Sequence, residues 1–220
     1  WASCMVACGD ADGAVTGNTR RFGASLEKIK QVVSVRSGEI MFGLNLVVHK
    51  GKTIFVGDTS VHEYPTSEQM ADIATSAARV VRLFGFEPKV AFVSHSTFGQ
   101  PLTNRTKHIK NAVEILKERN VDFEFDGDMQ PDVALNSEYK SLYPFSKIVG
   151  NANILIMPGQ HSAAISYKMM KTLGDTKVIG PLLIGLGLLI EIAPLRSSTS
   201  EILNLASVAA YSADIIDYKK

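Results

Sequence analysis

Three polar stretches each follow an apolar, β-rich run: Ser94-His95-Ser96-Thr97-Phe98-Gly99, Asp126-Gly127-Asp128-Met129-Gln130-Pro131-Asp132 and Pro158-Gly159-Gln160-His161-Ser162. Hydroxyls and free amides so placed can bind an anion or polarise a carbonyl. Taken singly, Ser94, Ser96 and Thr97 are also ordinary turn and capping residues. Convergence of three such loops favours the chemical role. Spacing excludes other chemistries. Asp126, Asp128 and Asp132 lack the glycine and distal glutamate of a calcium loop. The five histidines and two cysteines never reach zinc-ligand spacing, so no metal site is expected. Ser94 and His95, adjacent on a strand, would point to opposite faces and form no Ser-His couple. Neither G-x-G-x-x-G nor G-x-x-x-x-G-K-[ST] occurs, which removes the Rossmann and P-loop nucleotide sites.

The elements that must hold these loops alternate between periods of two and 3.6 residues. Ile40, Phe42, Leu44, Leu46 and Val48 share one face of a strand, with Gly43 and Asn45 opposite, and Thr53 to Val56 returns through a Gly-containing turn as an antiparallel partner. Thr66 and Gln69 form a capping box ahead of a helix carrying Met70, Ile73, Ala74, Ala77, Val81 and Phe84 on one stripe. Lys89 to Val93 reads as a buried parallel strand and Arg105 to Arg119 as a helix. Asp122 to Phe125 then reads as strand, Pro131 to Tyr139 as helix, Ile154 to Met157 as strand and Ser162 to Leu173 as a helix stopped by Gly174. Ser198 and Glu201 cap a last helix reaching roughly Tyr218. This order predicts an α/β fold: a three-layer, mostly parallel sheet covered on both faces, with ligands in the crevice at the carboxyl ends of its strands.

Composition narrows the class. With 45% hydrophobic residues among 220, and 23 basic against 22 acidic side chains, the chain is expected to be globular. A net charge of +1 supplies no field for nucleic acid or an anionic membrane, so neither partner is expected. The longest run without a polar side chain, Val178 to Ile190, is 13 residues with Pro181 inside it. A spanning helix needs about 20, so the run reads as buried core, with Gly180-Pro181 and Gly185-Leu186-Gly187 as close-packing turns. Cys4 and Cys8 read as reduced thiols. The chain opens on Trp1 and shows no export signal, which suggests a cytoplasmic fragment of a longer polypeptide.

An ordered set of motifs resembles the phosphate acetyltransferase family. These are Gly9-Asp10-Ala11-Asp12-Gly13, Lys89-Val90-Ala91 with Ser94 to Gly99, Asp126 to Gln130 with Asp132, Ala152-Asn153-Ile154-Leu155-Ile156, Tyr167-Lys168, and Gly180 to Leu186. Through Val15-Thr16-Gly17-Asn18-Thr19-Arg20 and Val56-Gly57-Asp58-Thr59 the chain is more similar still to the C-terminal, transferase-like half of bacterial hybrid NADP-dependent malic enzymes. The resemblance implies a two-lobed fold like that of isocitrate and isopropylmalate dehydrogenases. Residues 34–188 would form a complete lobe, and 1–33 with 189–220 pieces of a second lobe whose N-terminal part is absent. It also implies homodimers or higher homo-oligomers and, in the parent, NADP and a divalent metal for oxidative decarboxylation of malate to pyruvate.

The departures from the family bear on activity. Active transferases carry a Ser-Arg pair before the final helix; here Pro194 and Leu195 stand there, with Arg196 one residue late. A transferase arginine falls on Gly23, near Arg20 and Arg21, and a lysine becomes Phe98. The resemblance therefore implies a regulatory module that binds acetyl-CoA or CoA through Arg20, Arg21, Lys168 and Arg196, with Ser96, Thr97, Gly127, Asp128 and Gln130 lining the cleft. No tightly bound cofactor is implied in this segment. The alternative is an active phosphate acetyltransferase in which Arg196 and either Ser197 or Ser198 replace the missing pair. A purely structural dimerisation domain is the third reading.

Overall fold

The computed structural model describes residues 1–215. In chain order the elements are α1 (Ala2–Cys8), β1 (Ala14–Gly17), α2 (Phe22–Lys30), β2 (Phe42–His49), β3 (Lys52–Gly57), α3 (Ser67–Leu83), β4 (Lys89–Val93) and α4 (Asn104–Glu118). They continue with β5 (Glu124–Met129), α5 (Pro131–Leu135), α6 (Ser137–Lys140), β6 (Ile154–Ile156), α7 (Gln160–Leu173), β7 (Thr176–Ile184), β8 (Ile190–Ala193) and α8 (Thr199–Ile215). Two compact units form: Trp1–Asn45 with Ile179 onward, and Leu46–Val178. The chain passes from one to the other inside β2 and inside β7, whereas the resemblance implies boundaries at 34 and 188.

The larger sheet has the order β5-β4-β6-β3-β2-β7. Strands β5, β4, β6 and β3 are parallel. Only two residues, Lys50 and Gly51, join β2 to its neighbour β3, which permits nothing but an antiparallel pair. The sheet is therefore mixed and mainly parallel. Alternation along the central strands feeds two cores. Phe55, Phe92, Ile154 and Ile156 are fully buried on the side of α3, which packs on β3, β4, β6 and α4. Val56, Ala91, Val93, Leu155 and Met129 join Val133 and Ala163 in the opposite cluster. Burying each large side chain stabilises the unit by roughly 2 kcal/mol.

The capping box of Thr66 and Gln69 is present, and a second one, Thr103 with Thr106, starts α4. Four readings need correction. Strand β5 begins at Glu124 rather than Asp122 and runs on to Met129, so Asp126, Gly127 and Asp128 belong to the strand and not to the loop after it. Their polar groups are tolerated inside a sheet because each carboxylate is bonded, as described below. Helix α7 begins two residues earlier than Ser162, and the 131–139 helix divides at Asn136 into α5 and α6. Gly180-Pro181 lies within β7, where an edge position spares Pro181 the need to donate a hydrogen bond. Close packing holds: a side chain on Gly180 (φ 126°) would begin 2.6 Å from Asn45 Oδ1. The end of the last expected helix, 216–218, lies outside the described residues.

In the other unit β1 and β8 form a two-stranded parallel sheet, with Ala14 opposite Ile190 and Gly17 opposite Ala193. Helices α1, α2 and α8 pack on these strands. Cys4 and Cys8 are exposed, unlinked thiols on α1.

Candidate functional site

In the 46–178 unit the loops after β4 and β6 leave the sheet in opposite directions. α4 leads outward to β5 at one edge, and α7 leads toward β7 at the other. Such a divergence opens a crevice at the carboxyl ends of the two strands. A cavity of about 400 Å³ occupies it. Ser94 and His95 line it from the loop after β4, Asn104 and His108 from α4, His161 and Ser162 from α7, and Tyr64 with Pro65 from the loop after β3.

Backbone requirements fix this wall. Gly159 precedes α7 with no side-chain cap, and a Cβ there would sit 2.6 Å from Glu63 O, so only glycine fits. Ser162 Oγ donates to Gly159 O at 2.8 Å. His108 Nε2 lies 2.8 Å from Pro65 O and must carry the proton, since a carbonyl can only accept. Its Nδ1 meets Ser67 Oγ at 3.0 Å. Asp58, buried just after β3, accepts from the amides of Ser60, Val61 and His62 at 2.8, 3.1 and 2.7 Å and from His62 Nδ1 at 2.7 Å. With imidazoles, hydroxyls and a helix N-terminus on its walls, the cavity suits an anionic or carbonyl-bearing ligand.

Beside it, the predicted residues Ser96, Thr97, Gly127, Asp128 and Gln130 are brought into one knot. Register between β4 and β5 jumps from Phe92–Gly127 to Val93–Met129, leaving Asp128 as the extra residue of a bulge. Bulges re-aim side chains, and here the fully buried Asp128 carboxylate accepts from Ser96 Oγ and, at 3.0 Å, from the Gly99 amide. Gln130 donates its amide to Thr97 Oγ1 at 3.2 Å and its Nε2–H to His95 O at 3.0 Å. A Cβ on Gly127 would meet Phe92 Cβ at 2.7 Å. Asp126 accepts from the amides of Gly127 (2.9 Å) and Lys147 (2.7 Å). Lys168 stands apart, exposed on α7 with its ammonium 5.9 Å from the Tyr167 ring.

The remaining predicted residues gather in the other unit, at the carboxyl ends of β1 and β8. Asn18 donates its amide to Ala193 O at 2.9 Å, and Arg196 donates its amide to Asn18 O at 3.1 Å. Gly17 (φ 106°) permits the approach, since a Cβ would begin 2.4 Å from Ala193 O. Arg20, Arg21 and Arg196 are exposed, and among the described residues none forms an ion pair. The nearby hydroxyls are committed: Ser197 Oγ donates to Pro194 O at 2.8 Å, and Ser198 Oγ accepts from the Glu201 amide (3.3 Å) as the cap of α8.

Sequence reading missed His62, Tyr64 and His108, and named Asp58 and His161 only as members of longer motifs. Taking 53–56 only as the second arm of a hairpin hid that β3 is also parallel to β6, which makes residues 58–65 a further strand-end loop. Polar residues after that strand were the available signal.

Fold and crevice define an α/β ligand-binding or transferase protein, and comparison with known proteins makes this specific. The profile of the family "Phosphate acetyl/butaryl transferase" matches residues 1–210, and the chain belongs to that family. It is 46% identical over 213 residues to the NADP-dependent malic enzyme of Rhizobium meliloti, covering 97% of this chain and 28% of that enzyme. It is 32% identical over 223 residues to the phosphate acetyltransferase of Clostridium acetobutylicum, covering 97% of this chain and 67% of that protein. A phosphotransacetylase from Streptococcus pyogenes superposes with a TM-score of 0.90 at 28% identity, over 97% of this chain and 66% of that one. The chain thus spans little more than a quarter of the malic enzymes it matches. Among the described residues no helix is long and apolar enough to cross a membrane.

Proposed function

We propose that the chain is the phosphate acetyltransferase-like, C-terminal domain of an NADP-dependent malic enzyme, and that it binds acetyl-CoA as a regulatory ligand without transferring the acetyl group. The observation carrying this reading is the strand-end edge of β1 and β8. Arg20, Arg21 and Arg196, which form no ion pair among the described residues, follow these strands, and the hydroxyls of Ser197 and Ser198 are already bonded to Pro194 O and to the first turn of α8. Guanidinium groups bind phosphate well. Acyl transfer between a thiol and phosphate also needs a donor aimed at the developing oxyanion, and these hydroxyls are spent elsewhere. Coupling to a malate site requires acetyl-CoA to bind two states of the parent unequally, by about 1 to 3 kcal/mol.

The test uses the full polypeptide carrying this chain. Calorimetry is expected to detect acetyl-CoA binding that weakens in Arg196→Ala and Arg20→Ala, while acetyl phosphate mixed with CoA yields no acetyl-CoA. Turnover of order 1 to 1,000 per second would overturn the reading in favour of an active transferase using Arg196 with Ser197 or Ser198. The match over residues 1–210 supports that second reading. A homo-oligomer is proposed as well, from the outward apolar stripe of α7, Ile165, Met169 and Leu173.

A further inference from the structure

The loop after β4 turns through two left-handed residues, Phe98 (φ 50°) and Gly99 (φ 83°), and this conformation puts the Phe98 ring among those of Tyr143 and Phe145. Ring centroids of Phe98 and Phe145 are 4.8 Å apart at 67°, and those of Phe98 and Tyr143 5.4 Å apart at 51°. Phe98 and Tyr143 pack on the core below, while Phe145 is 65% exposed and meets its neighbours edge to face. The cluster is fixed from beneath. Phe98 donates its amide to Asp128 O at 2.7 Å, and Lys147 donates its amide to Asp126 Oδ2 at 2.7 Å, pinning the segment that carries Phe145.

Cations accompany the rings. The Lys110 ammonium lies 3.4 Å from where a side chain on Gly99 would begin, and it has no ion-pair or hydrogen-bond partner among the described residues. Lys147 is exposed two residues beyond Phe145 and its ammonium is likewise unpaired among the described residues. An anchored aromatic ring open to solvent, with one ammonium against Gly99 of the same cluster's loop and a second lysine two positions along the chain, has the chemistry of a nucleotide platform: the ring stacks a base and the cations meet its phosphates.

We propose that Phe145, supported by Phe98 and Tyr143 and with Lys110 against the adjoining Gly99, receives the adenine nucleotide end of a coenzyme A thioester. This assignment rests on the acyl-CoA-binding reading above and concerns the 46–178 unit by itself. No nucleotide motif announces the site, because the rings come from segments more than forty positions apart in the chain.

The test titrates the full polypeptide with acetyl-CoA, with S-acetylpantetheine, which lacks the nucleotide, and with adenosine 3′,5′-bisphosphate, which lacks the thioester arm. Phe145→Ala is expected to weaken acetyl-CoA and the bisphosphate about tenfold and to leave S-acetylpantetheine unchanged, with Phe145→Trp restoring affinity. Lys110→Gln is expected to weaken the same two ligands and to flatten their salt dependence. Equal loss for S-acetylpantetheine, or unchanged acetyl-CoA affinity in Phe145→Ala, would overturn the platform while leaving acyl-CoA binding standing. Failure of the unaltered protein to bind either acetyl-CoA or the bisphosphate would overturn both. Exposure of Phe145 makes loss of folding an unsuitable explanation, and an unchanged melting temperature in Phe145→Ala checks this directly.

Discussion

A carboxylate inside a sheet persists where donors reach its oxygens or where the group keeps its proton. Asp128 shows the donors. Its oxygens accept from Ser96 and from the Gly99 amide, so Asp128→Ala leaves a buried hydroxyl and a buried amide without acceptors. The expected loss is about 3 kcal/mol of unfolding free energy, read by urea denaturation, with Asp128→Asn recovering part of it. Glu191 on β8 takes the second. It is 3% exposed and accepts only the Leu183 amide at 2.9 Å among the bonds described. Desolvation by burial raises its pKa to about 8, against the lowering by that amide. The folded state then binds a proton that the unfolded chain has released, so raising the pH favours unfolding. Stability is expected to be full below the ordinary carboxylate range and to fall as pH climbs through about 8. Glu191→Gln keeps an acceptor for Leu183 and removes the titration. Its melting temperature should vary less across this window than that of the unaltered protein, and an equal slope would show that another group carries the dependence.

Elements were legible where local chemistry alone decides them. The boxes Thr66/Gln69 and Ser198/Glu201 announce α3 and α8, because an amide left over at a helix start is satisfied by residues three positions away. Ser198→Ala is accordingly expected to cost about 1 kcal/mol in stability and to leave acetyl-CoA affinity unaltered; a selective loss of affinity would assign its hydroxyl to the ligand instead. Elements set by distant partners were not legible. Four residues of β1 become a strand only beside β8, and β7 absorbs Pro181 only because it lies at an edge. The limits of β5 were misjudged because Asp126-Gly127-Asp128 reads as turn chemistry, while bonds to residues twenty and more positions away make those carboxylates compatible with a sheet. The candidate site divides the same way. Its loops could be located from the strands they follow, but the direction of Asp128 depends on a bulge defined by pairing with β4, and the tautomer of His108 depends on Pro65 O.

At the scale of the whole molecule, α7 poses a problem that the described chain leaves unsolved. Ala163 is fully buried against the sheet, as an amphipathic helix requires, yet Ile165, Met169 and Leu173 recur four apart at 60%, 55% and 83% exposure. Single apolar residues in water are common, whereas a stripe along one helix face has a persistent cost that covering it would remove. Lys168 is also exposed on α7, so an ionic contact there and an apolar cover for the stripe are separable demands. Covering by a second copy lets the same stripe meet itself across a twofold axis. In the full polypeptide Ile165→Glu combined with Met169→Glu is therefore expected to lower the oligomeric order seen by sedimentation velocity, because each carboxylate would have to be buried unpaired or the interface opened. Since neither residue lines the cavity or belongs to the aromatic cluster, acetyl-CoA binding per chain should survive if the oligomer serves assembly alone. Its loss together with the oligomer would mean that the regulatory ligand reads the assembled state, and an unaltered oligomer would remove α7 from the interface.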